Sequence, residues 1–251
     1  VYRKHLQKIS FTGMLVAIGV VLAEFLAISL PPTASPVIRF SIGYLPIILA
    51  GAFFGPVYGG IAGAAQDLLG FFLFGAAKGY SFHPGYTLNA ILYGVLPALF
   101  LNRSFRSEKK LFYRLNYVIA GVLFGLSAWF FLDIETVASS TLGTEAKLLL
   151  AGFALAGAAG LALFNFLMRK KTASPHMPQK VLFVVIVMYA LTSLVLTPLW
   201  IYSVNPGYDV WVNIPLRLLK MPIETTFYVL LLTPLLGLYA KLDGKQENAT
   251  D

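Results

Sequence analysis

The sequence predicts an all-α membrane protein, a polytopic bundle of about eight transmembrane helices with both termini in the cytoplasm. Three observations lead there. Of the 251 residues, 58% are hydrophobic and only 12% charged, about half the charge that dresses a soluble domain. The apolar residues gather in blocks near the roughly 20 residues a helix needs to cross about 30 Å of hydrocarbon. The basic residues sit in short runs between alternate blocks. Together they exclude an ordinary water-soluble enzyme and a disordered chain. The net charge of +8 would suit nucleic acid only if the basic residues shared one folded face. Their scatter between apolar blocks makes the lipid membrane the partner and nucleic acid none. The chain has no cysteine, so disulfides, thiolate metal sites and cysteine nucleophiles are excluded.

The spans follow in order. Ile9 to Leu30 is the first; it is too long for a cleaved leader and lacks a small-residue cleavage pattern. After a loop holding Pro31, Pro32 and Pro36 comes Ile42 to Phe54, the shortest span, stopped by Gly55-Pro56. Val57 to Phe74 is followed by a Gly-rich loop and then by Tyr86 to Leu101. Tyr117 to Leu132, Leu148 to Met168, Val181 to Tyr202 and Trp211 to Tyr239 complete eight. Orientation comes from Lys and Arg. Fourteen of the 19 fall in four segments: residues 3–8, 103–114, 169–180 and 241–245. Dividing the spans four, two and two puts all four segments on one side, which is then cytoplasmic.

Arg217 and Lys220 are left inside the last span, where a basic residue at mid-helix costs about 2.5–3.5 kcal/mol on insertion scales. Asn213, Arg217, Lys220 and Glu224 are spaced four, three and four, so they share one helix face. Pro215 and Pro222 loosen the backbone beside them. In one reading Lys220 and Glu224 pair with each other and Arg217 snorkels outward. In the other the stripe lines an outward-open cavity, with Arg217 and Lys220 meeting an anionic ligand; a guanidinium fork suits a carboxylate. Asp67, in mid-span, could cap a polar cluster, relay a proton, or pair with Arg217 or Lys220, and the pairing role is favoured. Asp67 and Glu224 are therefore read as structural polar residues.

Gly51, Gly55, Gly59 and Gly63 recur every four residues, and Gly13 and Ala17 repeat the spacing on the first span; such spacing lets helices approach closely. Aromatics crowd the outer ends, among them Phe40, Tyr44, Tyr86, Trp200 and Trp211. They fit an interfacial belt or a stacking surface for a flat ligand. His5, His83 and His176 are too scattered for a metal site. No nucleotide-hydrolysis, serine-hydrolase or zinc-protease motif occurs, so the chain is read as neither an enzyme nor a user of cofactors, and uphill transport would need a partner or an ion gradient.

Several stretches then combine: Leu45-Pro46, Phe53-Phe54-Gly55-Pro56, Tyr58-Gly59-Gly60 and Gly63, Asp67-Leu68-Leu69-Gly70, His83-Pro84-Gly85-Tyr86-Thr87-Leu88-Asn89, and Ile214-Pro215-Leu216-Arg217-Leu218-Leu219-Lys220. Over residues 8–101 and 181–238 the chain resembles the substrate-binding S component of energy-coupling factor (ECF) vitamin transporters, in its folate-type family. The resemblance implies a six-helix multi-pass protein of a bacterial plasma membrane. Such a protein captures a vitamin outside and joins a transmembrane coupling subunit and two ATPases, which spend the ATP. It implies a docking surface at Gly13 and Ala17. It also implies a pocket around Arg39, Phe40, Tyr86, Asn89, Trp200 and Arg217, beside Asn213 and Lys220. On this scheme residues 1–102 hold core helices one to four, 103–180 an inserted two-helix hairpin, 181–240 core helices five and six, and 241–251 a polar tail. The expected function is capture of folate or another anionic vitamin for ATP-driven uptake. The alternative is a stand-alone proton-coupled carrier using Asp67 and Glu224.

Overall fold

The computed structural model describes residues 2–30, 38–79, 81–101, 108–133, 136–137, 140–141, 144–167, 178–206 and 210–247. Side chains are described from residue 5 onward within these, except at 29–30, 38–39, 108–110, 123, 126–151, 153–154, 210–216, 219 and 241–247. Eight helices occur among the described residues: α1 (Tyr2–Phe25), α2 (Leu45–Phe54), α3 (Pro56–Lys78), α4 (Pro84–Leu101), α5 (Glu108–Asp133), α6 (Thr144–Leu167), α7 (Pro178–Val204) and α8 (Val210–Glu247). Each coincides with one of the eight apolar blocks. Over the described side chains alone, five of them contain a stretch long and apolar enough to cross a membrane.

Two boundaries differ from the hydropathy reading. The first apolar block ends its helix at Phe25, and Ile28–Leu30 instead forms strand β1, antiparallel to β2 (Ile38–Phe40) with Ile28 opposite Phe40. Hydropathy does not separate an apolar helix from an apolar strand, and Ile28 carries a β-branched side chain. A second short pair, β3 (Thr136–Val137) and β4 (Ser140–Thr141), joins α5 to α6. The other difference is Lys180, counted above among the orienting charges. It is 2% exposed and donates through Nζ to the Leu101 carbonyl at 3.2 Å. The last carbonyls of α4 lack intrahelical donors, and a cation there also meets the negative end of the helix dipole.

α2 is ten residues long, about 15 Å at helical rise, roughly half the hydrocarbon thickness. It is buried from Leu45 to Ala52. Its Leu45, Ile48 and Leu49 join the main core, where Val181, Leu182, Val185 and Met188 of α7 meet Val229, Leu232 and Leu236 of α8. Gly55 alone separates α2 from α3, with φ at 98°. That left-handed conformation favours glycine, and Pro56 then opens α3 at a position where no backbone donor is missed.

The helices α2, α3 and α4 touch backbone to backbone. A Cβ on Gly51 or Gly59 would overlap the Gly94 carbonyl oxygen, one on Gly94 the Gly59 carbonyl, and one on Gly63 the Ala90 backbone. Such contact is what small residues every four positions allow between membrane helices. Amides hold the α5–α6 hairpin: Asn116 Nδ2 ties α5 to α7 by donating to the Gln179 carbonyl at 3.1 Å, and Asn165 Nδ2 ties α6 to α5 by donating to the Tyr113 carbonyl at 3.0 Å.

Replacing Gly94 by Leu forces α3 and α4 apart, and destabilisation of about 3 kcal/mol or more is expected from overpacking a rigid contact. Gly121→Leu, on an open face of α5, serves as the control and leaves stability nearly unchanged. Thermal unfolding of both variants in detergent checks this.

Candidate functional site

A cavity of about 720 Å³ opens at the end of the bundle where Ser41–Tyr44, Gly79, His83 and Asn205 lie. Its walls come from α1, the Ser41–Tyr44 segment, α3, α4, α7 and α8. The segment is held in place by its carbonyls. Tyr228 OH of α8 donates to the Ser41 carbonyl at 3.0 Å, and Gln66 Nε2 of α3 to the Gly43 carbonyl at 2.9 Å. Gly43 lies so close to Ala23 of α1 that a Cβ would clash. Tyr44 is thereby laid flat on Tyr93 of α4, ring centroids 4.1 Å apart and planes within 4°.

The α7 wall owes its shape to a π-helical turn over Ala190–Leu196. Pro198 has no N–H and its ring crowds the preceding turn. Thr197 compensates, for both its N–H and its hydroxyl donate to the Thr192 carbonyl, the hydroxyl at 2.7 Å. Thr192 and Ser193 consequently line the cavity. Turns of this kind recur at functional sites.

At the rim, His83 precedes α4, and its Nδ1 accepts the Gly85 N–H at 3.1 Å, capping the helix. Ser203 Oγ donates to the Trp200 carbonyl at 2.7 Å, so it accepts from His83 Nε2 at 3.1 Å. In this network Nδ1 is the accepting ring nitrogen and Nε2 the donating one.

The residues singled out in the sequence are placed as follows. Lys220 and Glu224 both line the cavity and pair with each other at 2.9 Å. The Lys220 ammonium also stands 5.9 Å from the centre of the Phe40 ring and 6.0 Å from that of Tyr189. Arg217 is not among the lining side chains. Its Nη1 donates to the Ser193 carbonyl at 3.3 Å and reaches Ser193 Oγ at 3.5 Å, and its own carbonyl accepts from Tyr189 OH at 2.8 Å. Asn89 lines the cavity with both ends of its amide engaged: Nδ2 donates to Thr197 Oγ1 at 3.0 Å, and Oδ1 accepts from Trp200 Nε1 at 3.2 Å. It thus buttons Trp200 and α7 to α4. Tyr86 lines the rim beside His83. Asp67 lines the α3 wall and accepts from Thr87 Oγ1 at 2.6 Å; it pairs with neither Arg217 nor Lys220. The side chains of Arg39 and Asn213 lie outside the described residues. Gly13 and Ala17 lie on an exposed face of α1, with nothing within 4 Å of a Cβ on Gly13.

Sequence reading passed over Gln66, Tyr93, Tyr189, Thr192 and Ser193 as lining residues. Tyr93 was accessible from spacing, four residues beyond Asn89 on the same face of α4. Thr192 and Ser193 were signalled by two hydroxyls in an apolar run shortly before a proline.

Removing one partner of the Lys220–Glu224 pair strands the other charge in a poorly solvated wall. Lys220→Met and Glu224→Gln should each cost about 2–3 kcal/mol in the ligand-free protein, and the double variant less than their sum. Unfolding of all four forms in one detergent measures the coupling.

Residues 3–164 match a family model described as "ECF-type riboflavin transporter, S component". A curated relative, "Folate transporter FolT" of Clostridium novyi (strain NT), is 31% identical over 107 residues. That alignment takes in 43% of this chain and 58% of the relative, so the match spans little more than half of the relative's length. Among solved structures, one described as "Crystal structure of FolT bound with folic acid" aligns over 92% of this chain and 91% of its own, with TM-score 0.51 and 22% identity. At that identity the likeness is one of fold.

Proposed function

This chain belongs to the S-component family of ECF transporters, and we propose that it captures folate, or another flat anionic vitamin, in the cavity at its loop end. S components are multi-pass membrane proteins and binding subunits rather than enzymes. The observation that carries the reading is the cavity itself. At about 720 Å³ it falls within the range of drug-sized ligand pockets. It combines aromatic faces, three carboxylates and a lysine. The folate transporter among its relatives supports folate as the first ligand.

In this reading the loop end faces outward and both termini face the cytoplasm. Lys220 and Arg217 balance the ligand's carboxylates, with Asn213 and Arg39 near them, while Phe40, Tyr86 and Trp200 flank its rings. Asn89 acts through Trp200. The exposed Gly13 and Ala17 form the surface where a transmembrane coupling subunit docks, and two ATPases behind it hydrolyse the ATP that this chain does not use. The hairpin of residues 103–180 is an addition to a six-helix core.

Titrating the purified protein with folic acid, riboflavin and pantothenate tests capture; no binding at micromolar concentrations of any of them would sink it. Arg217→Ala should weaken folic acid binding about tenfold or more, since a guanidinium–carboxylate bond lost in a dry site costs more than one neutral bond, while expression stays near wild type. Gly13→Trp and Ala17→Trp should leave the binding isotherm unchanged and abolish uptake in cells that supply the energy module. Wild-type uptake by either variant removes the docking assignment.

A further inference from the structure

Three acidic side chains line the cavity, and they are not equivalent. Glu24 of α1 is paired with Lys78, and Glu224 with Lys220. Asp67 has no ion-pair partner among the described residues; Oδ2 takes the Thr87 hydroxyl at 2.6 Å. A carboxylate only accepts hydrogen bonds and offers about four lone-pair sites. Among the described residues that one donor uses a fraction of this capacity, and the residue lines the cavity. Gln66, the residue before it, is spent on structure: Nε2 donates to the Gly43 carbonyl, and Oε1 is buried against Gly19 of α1. The α3 wall therefore offers the carboxylate of Asp67, the opposite of what a carboxylate-bearing end of a ligand would seek. Phe71, one helical turn beyond Asp67, and Tyr86, next to Thr87 in the chain, line the cavity alongside it.

We propose that Asp67 is the specificity-determining residue of this cavity. It would recognise a heteroaromatic ring through an edge carrying two adjacent N–H donors, such as the 2-amino-4-oxopyrimidine edge of a pterin. This rests on the folate reading above. The ring N–H and the 2-amino group lie side by side and match the two oxygens of one carboxylate, as a guanidinium fork does. The imide edge of an isoalloxazine presents carbonyl, N–H, carbonyl instead. Against Asp67 it makes at most one hydrogen bond and turns a carbonyl oxygen toward a negative charge. A site built to bond a donor rejects the analogue lacking it strongly, because its own polar group is then left unmatched. Asp67 thus selects pterins over flavins inside a family whose members differ in ligand, and Thr87 holds the carboxylate in register.

The test uses folic acid, its analogue lacking the 2-amino group, and riboflavin, titrated into the purified protein in detergent. Wild type should bind folic acid at least about tenfold more tightly than the desamino analogue. Asp67→Asn keeps the size and the bond from Thr87 but replaces one acceptor by a donor. It should lose about tenfold or more in folic acid affinity, discriminate the two folates less than about threefold, and hold or gain affinity for riboflavin, whose edge a carboxamide complements. Wild type that binds both folates alike overturns the assignment of Asp67 and leaves folate capture standing, and that measurement needs no variant. An Asn variant that keeps the wild-type preference for folic acid overturns it too. Wild type that binds no folic acid overturns the functional reading and this inference together.

Discussion

Direct backbone contact among α2, α3 and α4 is the constraint on which the cavity depends. Apolar side chains gain little by leaving lipid for a protein interior, so close van der Waals contact has to hold these helices together. α2 is too short to cross the membrane, and the polar groups at its ends must be satisfied within protein. The seam of Gly51, Gly59, Gly63 and Gly94 lets it sink between its neighbours until Leu45 to Ala52 are all buried. Because α2 begins so deep, the Ser41–Tyr44 segment that leads into it is drawn inward as well. There Tyr228 and Gln66 find its carbonyls, and Tyr44 finds Tyr93. A side chain at Gly51 or Gly59 would lift α2 and open the Tyr44–Tyr93 stack beside the cavity.

Most of this fold was legible in the sequence, because a membrane helix is specified by local composition. Every apolar block became a helix, and three of the four regularly spaced glycines, Gly51, Gly59 and Gly63, lie in the seam, while Gly55 makes the turn between α2 and α3. What was not legible is what depends on partners distant in sequence. Leu26 to Leu30 reads as more helix until its pairing with residues 38–40 is known. Lys180 reads as one more orienting charge, and only the position of the Leu101 carbonyl shows why it is buried. The π-helical turn of α7 lies between these cases: Thr197-Pro198 signals a disturbed helix, but not that Thr197 would restore the bonding across five residues.

The site was legible in its parts and not in its assignments. The spacing of Arg217, Lys220 and Glu224 gave one face, yet of the two basic residues Lys220 lines the cavity while Arg217 is turned to Ser193. Helical periodicity places residues on a face at intervals of about 100° per residue; which of two neighbours on that face meets a cavity is decided by the helix packed against it. Asn89 was found as polar and well placed, but its bonds to Thr197 and Trp200 could not be seen across more than a hundred residues.

The charges sort into those already neutralised and those that are not. Glu24 with Lys78, and Glu224 with Lys220, cancel in place. A carboxylate arriving at Lys220 must compete with Glu224, so this pair offers polarity more than net attraction. Among the described residues Arg217 hydrogen-bonds through its side chain to the neutral oxygens of Ser193, at 3.3 and 3.5 Å, and Asp67 to the Thr87 hydroxyl. Neither has an ion-pair partner among the described residues. Unmatched charges held away from bulk water carry a standing cost, and a ligand that supplies the complement relieves it. A positive charge on α8 and a negative one on α3 ask for a molecule with an anionic tail and a donor-bearing head. That demand is narrower than a large aromatic-lined cavity makes by itself, since such a cavity accepts many flat molecules. The difference between a pterin and a flavin lies in the order of donors and acceptors along one edge, and shape alone does not read it.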